Sequence, residues 1–475
     1  MSKEAIAQAT EAAEAAEAAS SAADSPTPEA PSNKGLKAAL LRGSAFEMLG
    51  YGLSQIVRFG SNLLLSRLLF PEAFGLAALV NILNQGLIML SDVGLPTVVV
   101  QSERGDDVRF LNTAFTWQAA RATALWIVAS ACAIPMALLY KEPELKKLIP
   151  FGALSILVLG FRSTAYYTMR RRLNLKPLML IEIASQVGAV IAMIVWARFD
   201  RSVWALMMGA VVSSAIATIG THMLKVGYRN RFEWDKDHAR SMMHFGKWVA
   251  GSSMLTFASQ QGDRLLLGRF LGAATLGVYS IAVFLSGALG EAITRITHGV
   301  FFPAYSRVKS EGNARLRQVF YSTRLAVDAL VIPALGGLTA LGPAIVRILY
   351  DNRYTDAGWM LRVLSVRVAI ASLIAPYQFC LFAVGDSRYG FFLNLARTIA
   401  LVIGVPVGFA IGGVAGLVWG VALSEVPALI VVYIGFARHG LASPAHEARV
   451  PAFFAAGLGL GYLVLLGLQK LGLAV

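Results

Sequence analysis

Cysteine is almost missing from this chain. Only two of its 475 residues are Cys, and Cys132 and Cys380 each sit inside an apolar run with no Cys or His at metal-ligand spacing. This excludes a disulfide framework and a Cys/His metal centre, and neither a metal nor a cofactor is expected. Charge is scarce as well: 15% of residues are charged against 56% hydrophobic, which excludes an ordinary soluble domain. No P-loop, GxSxG, HExxH or nucleotide-binding region is present, so ATP does not drive the protein directly and no enzyme is expected. Long outer connections are also lacking, each being on the order of ten residues or fewer. A membrane glycosyltransferase or polysaccharide polymerase would need a larger loop to hold its acceptor.

What the chain has in abundance is apolar runs about 20 residues long, enough to cross a hydrocarbon core, and a mean hydropathy of +0.61. Thirteen helices are expected, at 44–68, 74–101, 114–140, 148–169, 178–198, 202–224, 246–268, 276–304, 321–349, 358–384, 388–410, 414–437 and 450–471. The net charge of +14 resides mainly in short connections such as RRRLNLK (170–176), KVGYRNRFEWDKDHAR (225–240) and SRVKSEGNARLR (306–317). That is a positive-inside pattern, so the amino terminus is expected in the cytoplasm and nucleic acid is not an expected partner. Residues 1–33, rich in Ala, Glu, Pro and Ser, read as a disordered acidic cytoplasmic tail without an apolar leader segment.

Two stretches repeat. LLLSRLLFPEAFGL (63–76) and LLLGRFLGAATLGV (265–278) share a Leu triplet, an Arg two places on and a Gly eight places later. LMMGAVVS (206–213) and LVWGVALS (417–424) repeat at a similar offset. Six helices separate equivalent positions, so the halves run the same way through the membrane as a parallel pseudo-two-fold repeat enclosing a cleft. The expected organisation is an all-α membrane protein with a six-helix bundle at 34–224, a cytoplasmic linker at 225–245 and a second six-helix bundle at 246–438. A linker and an extra helix fill 439–475.

Polar residues line one face of several spans. Glu47, Tyr51, Gln55, Arg58 and Asn62 recur every three or four residues in the first, and Asn81, Asn84, Gln85, Ser91 and Asp92 in the second. Ser252, Thr256, Ser259, Gln260 and Asp263 do so in the seventh, and Glu291, Arg295 and His298 in the eighth. An ionised side chain near the bilayer centre costs about 2.5 to 3.5 kcal/mol, so these stripes face a wet cavity between the halves. Arginine dominates the cations (Arg58, Arg121, Arg162, Arg264, Arg295, Arg324, Arg367, Arg397). Its planar fork, which cannot shed its proton, favours a phosphate-bearing cargo.

Arg58, Asn62, Gln260, Arg264 and Arg295 are the expected cargo contacts. Asp92, Asp263, Glu291 and Glu425 serve either a coupling ion or as counter-ions to arginine. Other readings stay open: Glu291 with Arg295 and Arg324 with Asp328 have intrahelical pair spacing, and Arg121 and Arg324 lie where they can snorkel to an interface. Arg67 and Arg269 read as structural corners at helix ends, and His298 as a satisfied polar group.

SRLLFPEAFGLAALV (66–80), SDVGLPTVVVQ (91–101), FGKWVAGSSM (245–254), DRLLLGRFLGAATLGVYSIA (263–282) and FFPAYSRV (301–308) give the chain a family likeness. It resembles the Wzx-type oligosaccharide flippases of the multidrug/oligosaccharidyl-lipid/polysaccharide exporter superfamily over most of 40–440. The resemblance implies two six-helix bundles, a central cationic cavity and alternating access. Its cargo would be an undecaprenyl-diphosphate-linked oligosaccharide crossing the cytoplasmic inner membrane for exopolysaccharide, capsule or O-antigen assembly. It further implies H⁺ or Na⁺ coupling, with Arg58, Arg264 and Arg295 at the diphosphate or acidic sugars and Asp92, Asp263 and Glu291 at the ion. Expected partners are membrane lipids and polysaccharide polymerase and chain-length machinery. The acidic tail and the odd thirteenth span depart from the family pattern, and an odd count puts the carboxyl terminus outside. A drug or metabolite antiporter of the same superfamily, a membrane polymerase or glycosyltransferase, and a non-transporting scaffold are the rival readings.

Overall fold

In the computed structural model the described residues are 33–91, 95, 99 and 105–470, and the side chains of 33–48 and 236–252 fall outside that description. The tail at 1–32 and Asp92 therefore lie outside the described residues, as do the side chains of Glu47 and Ser252. The rest is helical: α1 (Asn33–Leu68), α2 (Pro71–Leu90), α3 (Val108–Tyr140), α4 (Leu145–Gly160), α5 (Ala165–Arg171), α6 (Lys176–Phe199) and α7 (Trp204–His222) come first. They are followed by α8 (Lys236–Ile296), α9 (Phe302–Val308), α10 (Asn313–Leu349), α11 (Ala357–Ala383), α12 (Arg388–Leu423), α13 (Glu425–Arg438), α14 (Pro444–Glu447) and α15 (Arg449–Lys470).

A straight α8 would be about 90 Å long, three times the thickness of a hydrocarbon core. It folds back instead at Gly272, whose φ of 78° and ψ of 175° suit glycine. The two arms then run antiparallel, with Gly268 against Leu276 and the Tyr279 hydroxyl donating to Asp263 Oδ2 at 2.8 Å. α12 reverses in the same way at Gly412 and Gly413, and its returning arm continues into α13. Nine described helices are long and apolar enough to cross a membrane, or ten if α4 and α5 count as one span. With both hairpins divided into two arms and the stripe-bearing α1 added, the described residues hold thirteen long helical segments, of which α1 is not apolar enough to count as a crossing by composition.

Several boundaries differ from expectation, α1 and α10 among them, which start early at Asn33 and Asn313. α8 starts at Lys236, so 236–245, anticipated as linker, is helical; that stretch holds neither Gly nor Pro to stop a helix. α3 starts six residues early because the Asp107 carboxylate accepts from the Arg109 backbone N–H at 2.9 Å and caps it. The span anticipated at 148–169 is broken, α4 and α5 meeting at 60°. Polar side chains satisfy the backbone freed by the break. Gln118 Nε2 donates to the Gly160 and Arg162 carbonyls at 2.9 and 3.1 Å, and Asn230 Oδ1 accepts from Ser163 Oγ and the Thr164 N–H at 2.7 and 3.1 Å.

The duplicated stretches meet each other. A Cβ on Gly75 would collide with the Ala273 carbonyl oxygen, and one on Gly277 with the Pro71 carbonyl oxygen. Pro71 and Ala273 occupy the same place in the two copies, so the contacts are reciprocal and the pseudo-two-fold axis passes between them. Around this point the helix-turn ends are tied across the halves. Tyr350 donates to Asn62 Oδ1 at 2.6 Å, Tyr354 to the Leu69 carbonyl at 3.0 Å and Tyr140 to the Leu265 carbonyl at 3.3 Å. Arg353 Nη2 reaches the Ser66 and Arg67 carbonyls at 3.2 Å. This turn end of the bundle is closed.

The extra helix, α15, lies on α10 almost backbone to backbone: a Cβ on Gly457 would strike the Pro333 carbonyl oxygen and one on Gly336 the Phe454 carbonyl oxygen. Just before it, Glu447 pairs with Arg324 at 2.8 Å, while Arg324 also holds Asp328 at 2.9 Å. Arg324 is 2% exposed. The intrahelical pair is therefore present and the snorkelling alternative for Arg324 is not.

Candidate binding cavity

Helix spacing turns the stripe of α1 toward the second arm of α8. Arg58 Nη1 lies 3.8 Å from Glu291 Oε2, each side chain 47% exposed. The Tyr51 hydroxyl reaches Glu291 at 3.4 Å, and the Arg295 guanidinium sits 4.1 Å above the Tyr51 ring. Phe59 stacks on Phe284 beside them. Gln261 Nε2 donates to Gln85 Oε1 at 2.9 Å, joining the first arm of α8 to α2. The four stripe-bearing helices thus do converge, and Glu291 pairs across the halves with Arg58, not along its own helix with Arg295.

Three cavities open around this convergence. One of about 480 Å³ among α1, α2, α6, α7 and the first arm of α8 holds Arg58 and Arg264 together with Asn81, Gln85, Gln186 and Gln261. Among the described residues no carboxylate lines it. Arg264 Nη1 donates to Gln261 Oε1 at 3.0 Å, whereas its Nε is buried without a hydrogen-bond partner among the described residues. A second, of about 260 Å³, carries Tyr51, Tyr166, Arg170, Glu182 and Arg295. The third, of about 730 Å³, belongs to the carboxyl-terminal half and is lined by Gln260, Glu291, Arg295, Arg367 and Glu425 among others.

Behind the third cavity runs a chain of alternating charges. Asp263 Oδ2 accepts from Arg367 Nη1 at 2.7 Å; Arg367 Nε stands 3.4 Å from Glu425 Oε1, and Arg397 Nη2 pairs with Glu425 Oε2 at 2.7 Å. The Tyr279 hydroxyl and the Arg264 backbone N–H fill the remaining acceptor sites of Asp263. Asp263 and Glu425 are 1% and 3% exposed. Four charges taken out of water in this way are tolerable only because each is paired and hydrogen-bonded.

Of the residues singled out in the sequence, Arg58 and Arg264 share one cavity and Gln260, Glu291 and Arg295 another. Asn62 is engaged by Tyr350 at the closed turn end. Asp263 is the counter-ion of Arg367, and Asp92 lies outside the described residues. Gln186, Gln261, Arg170 and Glu182 were not anticipated. Glu182 and Gln186 did carry a signal, four residues apart on an otherwise apolar helix, with Gln186 Nε2 donating to Glu182 Oε1 at 3.2 Å. Among the described residues no group of three or more His, Cys, Asp or Glu is placed to hold a metal.

A sequence profile of the family described as polysaccharide biosynthesis protein matches residues 64–359, well over half the chain. The chain belongs to that family. Relatives of this chain include the succinoglycan biosynthesis transport protein ExoT of Rhizobium meliloti (strain 1021), 25% identical over 75% of this chain and 72% of its own length. The lipopolysaccharide biosynthesis protein WzxC of Escherichia coli (strain K12) is 22% identical over 81% of this chain and 77% of its own. Among solved structures, lipid II flippase MurJ in its inward closed conformation superposes with a TM-score of 0.67 at 12% identity, covering 90% of this chain and 98% of that one. An inward-facing multidrug resistance MATE family transporter of the MOP superfamily gives 0.58 at 13% identity, covering 84% and 95%. The resemblance read from the sequence holds, as does the all-α, two-bundle membrane fold with its extra helix.

Proposed function

We propose that this protein carries a phosphate-bearing, lipid-linked oligosaccharide across the cytoplasmic membrane by alternating access, for export or assembly of a polysaccharide. The observation that carries the reading is the 480 Å³ cavity, with two arginines, four amide side chains and, among the described residues, no carboxylate. Guanidinium forks suit phosphate oxygens, and amides supply both donors and acceptors for sugar hydroxyls. The names of the relatives ExoT and WzxC, and the fold shared with a lipid II flippase, support the same substrate class. A cationic drug, by contrast, would meet two arginines in a lining that offers it no carboxylate among the described residues.

In this reading Arg58, Arg264 and Arg295 meet the phosphates or acidic sugars, and Gln260 meets sugar hydroxyls. The loose Arg58–Glu291 pair gives way to the cargo anion, leaving Glu291 to take a coupling H⁺ or Na⁺; Asp92 keeps its place as a second coupling candidate. Asn62 acts in the turn-end closure, and Asp263 holds Arg367. With Lys- and Arg-rich connections in the cytoplasm, the closed turn end faces outward and the amino terminus inward. Bundles 34–224 and 246–438 then rock against each other so that the contact at Gly75 and Gly277 parts, releasing cargo to polymerase and chain-length machinery. The test is reconstitution into liposomes with a fluorescent undecaprenyl-diphosphate sugar. Transfer to the opposite leaflet faster than in empty vesicles is expected; no acceleration under either a Na⁺ or an H⁺ gradient overturns the reading.

A further inference from the structure

A cavity of about 410 Å³ lies apart from the central ones, between the first arm of α12 and α13. Arg388 is the first residue of α12 and Arg438 the last of α13, so both stand at the same end of an antiparallel helix pair. Below them the wall is apolar, formed by Phe392, Ile399, Val431 and Ile434. From Arg388 to Ile399 the helix rises about 16 Å, close to half of a hydrocarbon core about 30 Å thick. The groove is therefore one leaflet deep, with its cations at headgroup level.

Its shape follows from glycine placement. Near the hairpin turn Gly404 lies against Gly420 and Gly408 against Gly416, bringing the two backbones together. Toward the basic end the Tyr389 ring rests on Gly435, where a Cβ would come within 2.7 Å of it, and there the groove opens. The groove faces away from the charge chain: on α12, Asn394 and Arg397 turn to Ser259 and Glu425, while Phe392 and Ile399 are about half exposed on the other side. At the mouth, Asp386 orients Arg388 through bonds of 2.9 and 3.1 Å and lies 3.2 Å from His439 Nε2. One carboxylate against two arginines leaves the mouth positive.

We infer that this groove binds one anionic phospholipid, its phosphate between Arg388 and Arg438 and one acyl chain along Phe392, Ile399 and Ile434. The inference does not depend on the identity of the cargo. Native mass spectrometry of the full-length protein in detergent, titrated separately with phosphatidylglycerol, phosphatidylcholine and an isoprenyl phosphate, tests it. Wild type is expected to retain one phosphatidylglycerol at least about five-fold more tightly than phosphatidylcholine. Arg388→Gln with Arg438→Gln removes that preference, Arg388→Lys with Arg438→Lys keeps most of it, and Ala396→Trp weakens both phospholipids by filling the groove. Equal retention of the two phospholipids by wild type, or a preference that survives the Gln pair, overturns the site. Should the Gln pair fail to fold, undiminished phosphatidylglycerol retention by Ala396→Trp does the same. Retention of the isoprenyl phosphate in place of phosphatidylglycerol overturns the assigned occupant.

Discussion

Arg58 and Arg367 both lie on intramembrane helices, yet their removal has different consequences. Arg58 is half exposed in a cavity and pairs loosely with Glu291, so Arg58→Ala is expected to cost no more than about 1 kcal/mol of stability. It should abolish polysaccharide export while leaving the amount of membrane-inserted protein unchanged, which immunoblotting of membranes beside a polysaccharide assay would show. Arg367 is the centre of a buried charge chain between Asp263 and Glu425. Replacing it with Met leaves Asp263 without its cation and Glu425 with Arg397 alone, a change of about 3 to 5 kcal/mol for a buried pair. The expected signature is a lowered melting temperature and loss of protein from the membrane. Export lost with Arg367→Met at full protein level and unchanged melting would move Arg367 from scaffold to site.

At the scale of helices, the glycines of the repeat matter most. Gly75 and Gly277 each face a backbone carbonyl of the other copy, and neither carbonyl can swing aside as a side chain would. Gly75→Ala or Gly277→Ala is therefore expected to part the turn end without unfolding either bundle. A single cysteine placed at Phe70 should then react faster with a membrane-impermeant maleimide; an unchanged rate would mean that the closure tolerates a methyl group. The sequence makes this level of organisation partly readable. Polar residues three and four apart map onto one helical face by geometry alone, so the convergence of α1, α2 and the arms of α8 is legible. Partners brought together by tertiary packing are not: Arg367 lies 104 residues from Asp263 and 58 from Glu425. The break between α4 and α5 is hidden for the same reason, because Gln118 and Asn230, which satisfy it, are 42 and 66 residues distant. The repeat itself is plain in the sequence, but that its two glycines touch is not.

For the molecule as a whole, the turn end is the closed end, sealed by ties from Tyr140, Tyr350, Arg353 and Tyr354 across the halves. The Arg353 guanidinium also covers the Phe70 ring at 4.9 Å. Cysteines replacing Phe70 and Arg353, in a chain with Cys132 and Cys380 changed to Ala, should be joined by a short bifunctional thiol reagent. Bridging is expected to stop flipping in liposomes and cleavage of a reducible bridge to restore it; flipping that continues when bridged would show that the turn end need not open. The reciprocal contacts of Gly75 with Ala273 and Gly277 with Pro71 also carry a record of descent. They are the pair of i-to-j and j-to-i contacts that a true two-fold axis would generate. A half-length chain forming a symmetric homodimer would make the same contacts, each glycine pressed on the backbone four residues before its twin. The present asymmetry, with the charge chain of Asp263, Arg367, Glu425 and Arg397 lying wholly in the second half, is what a fused chain permits, because each copy can then change alone.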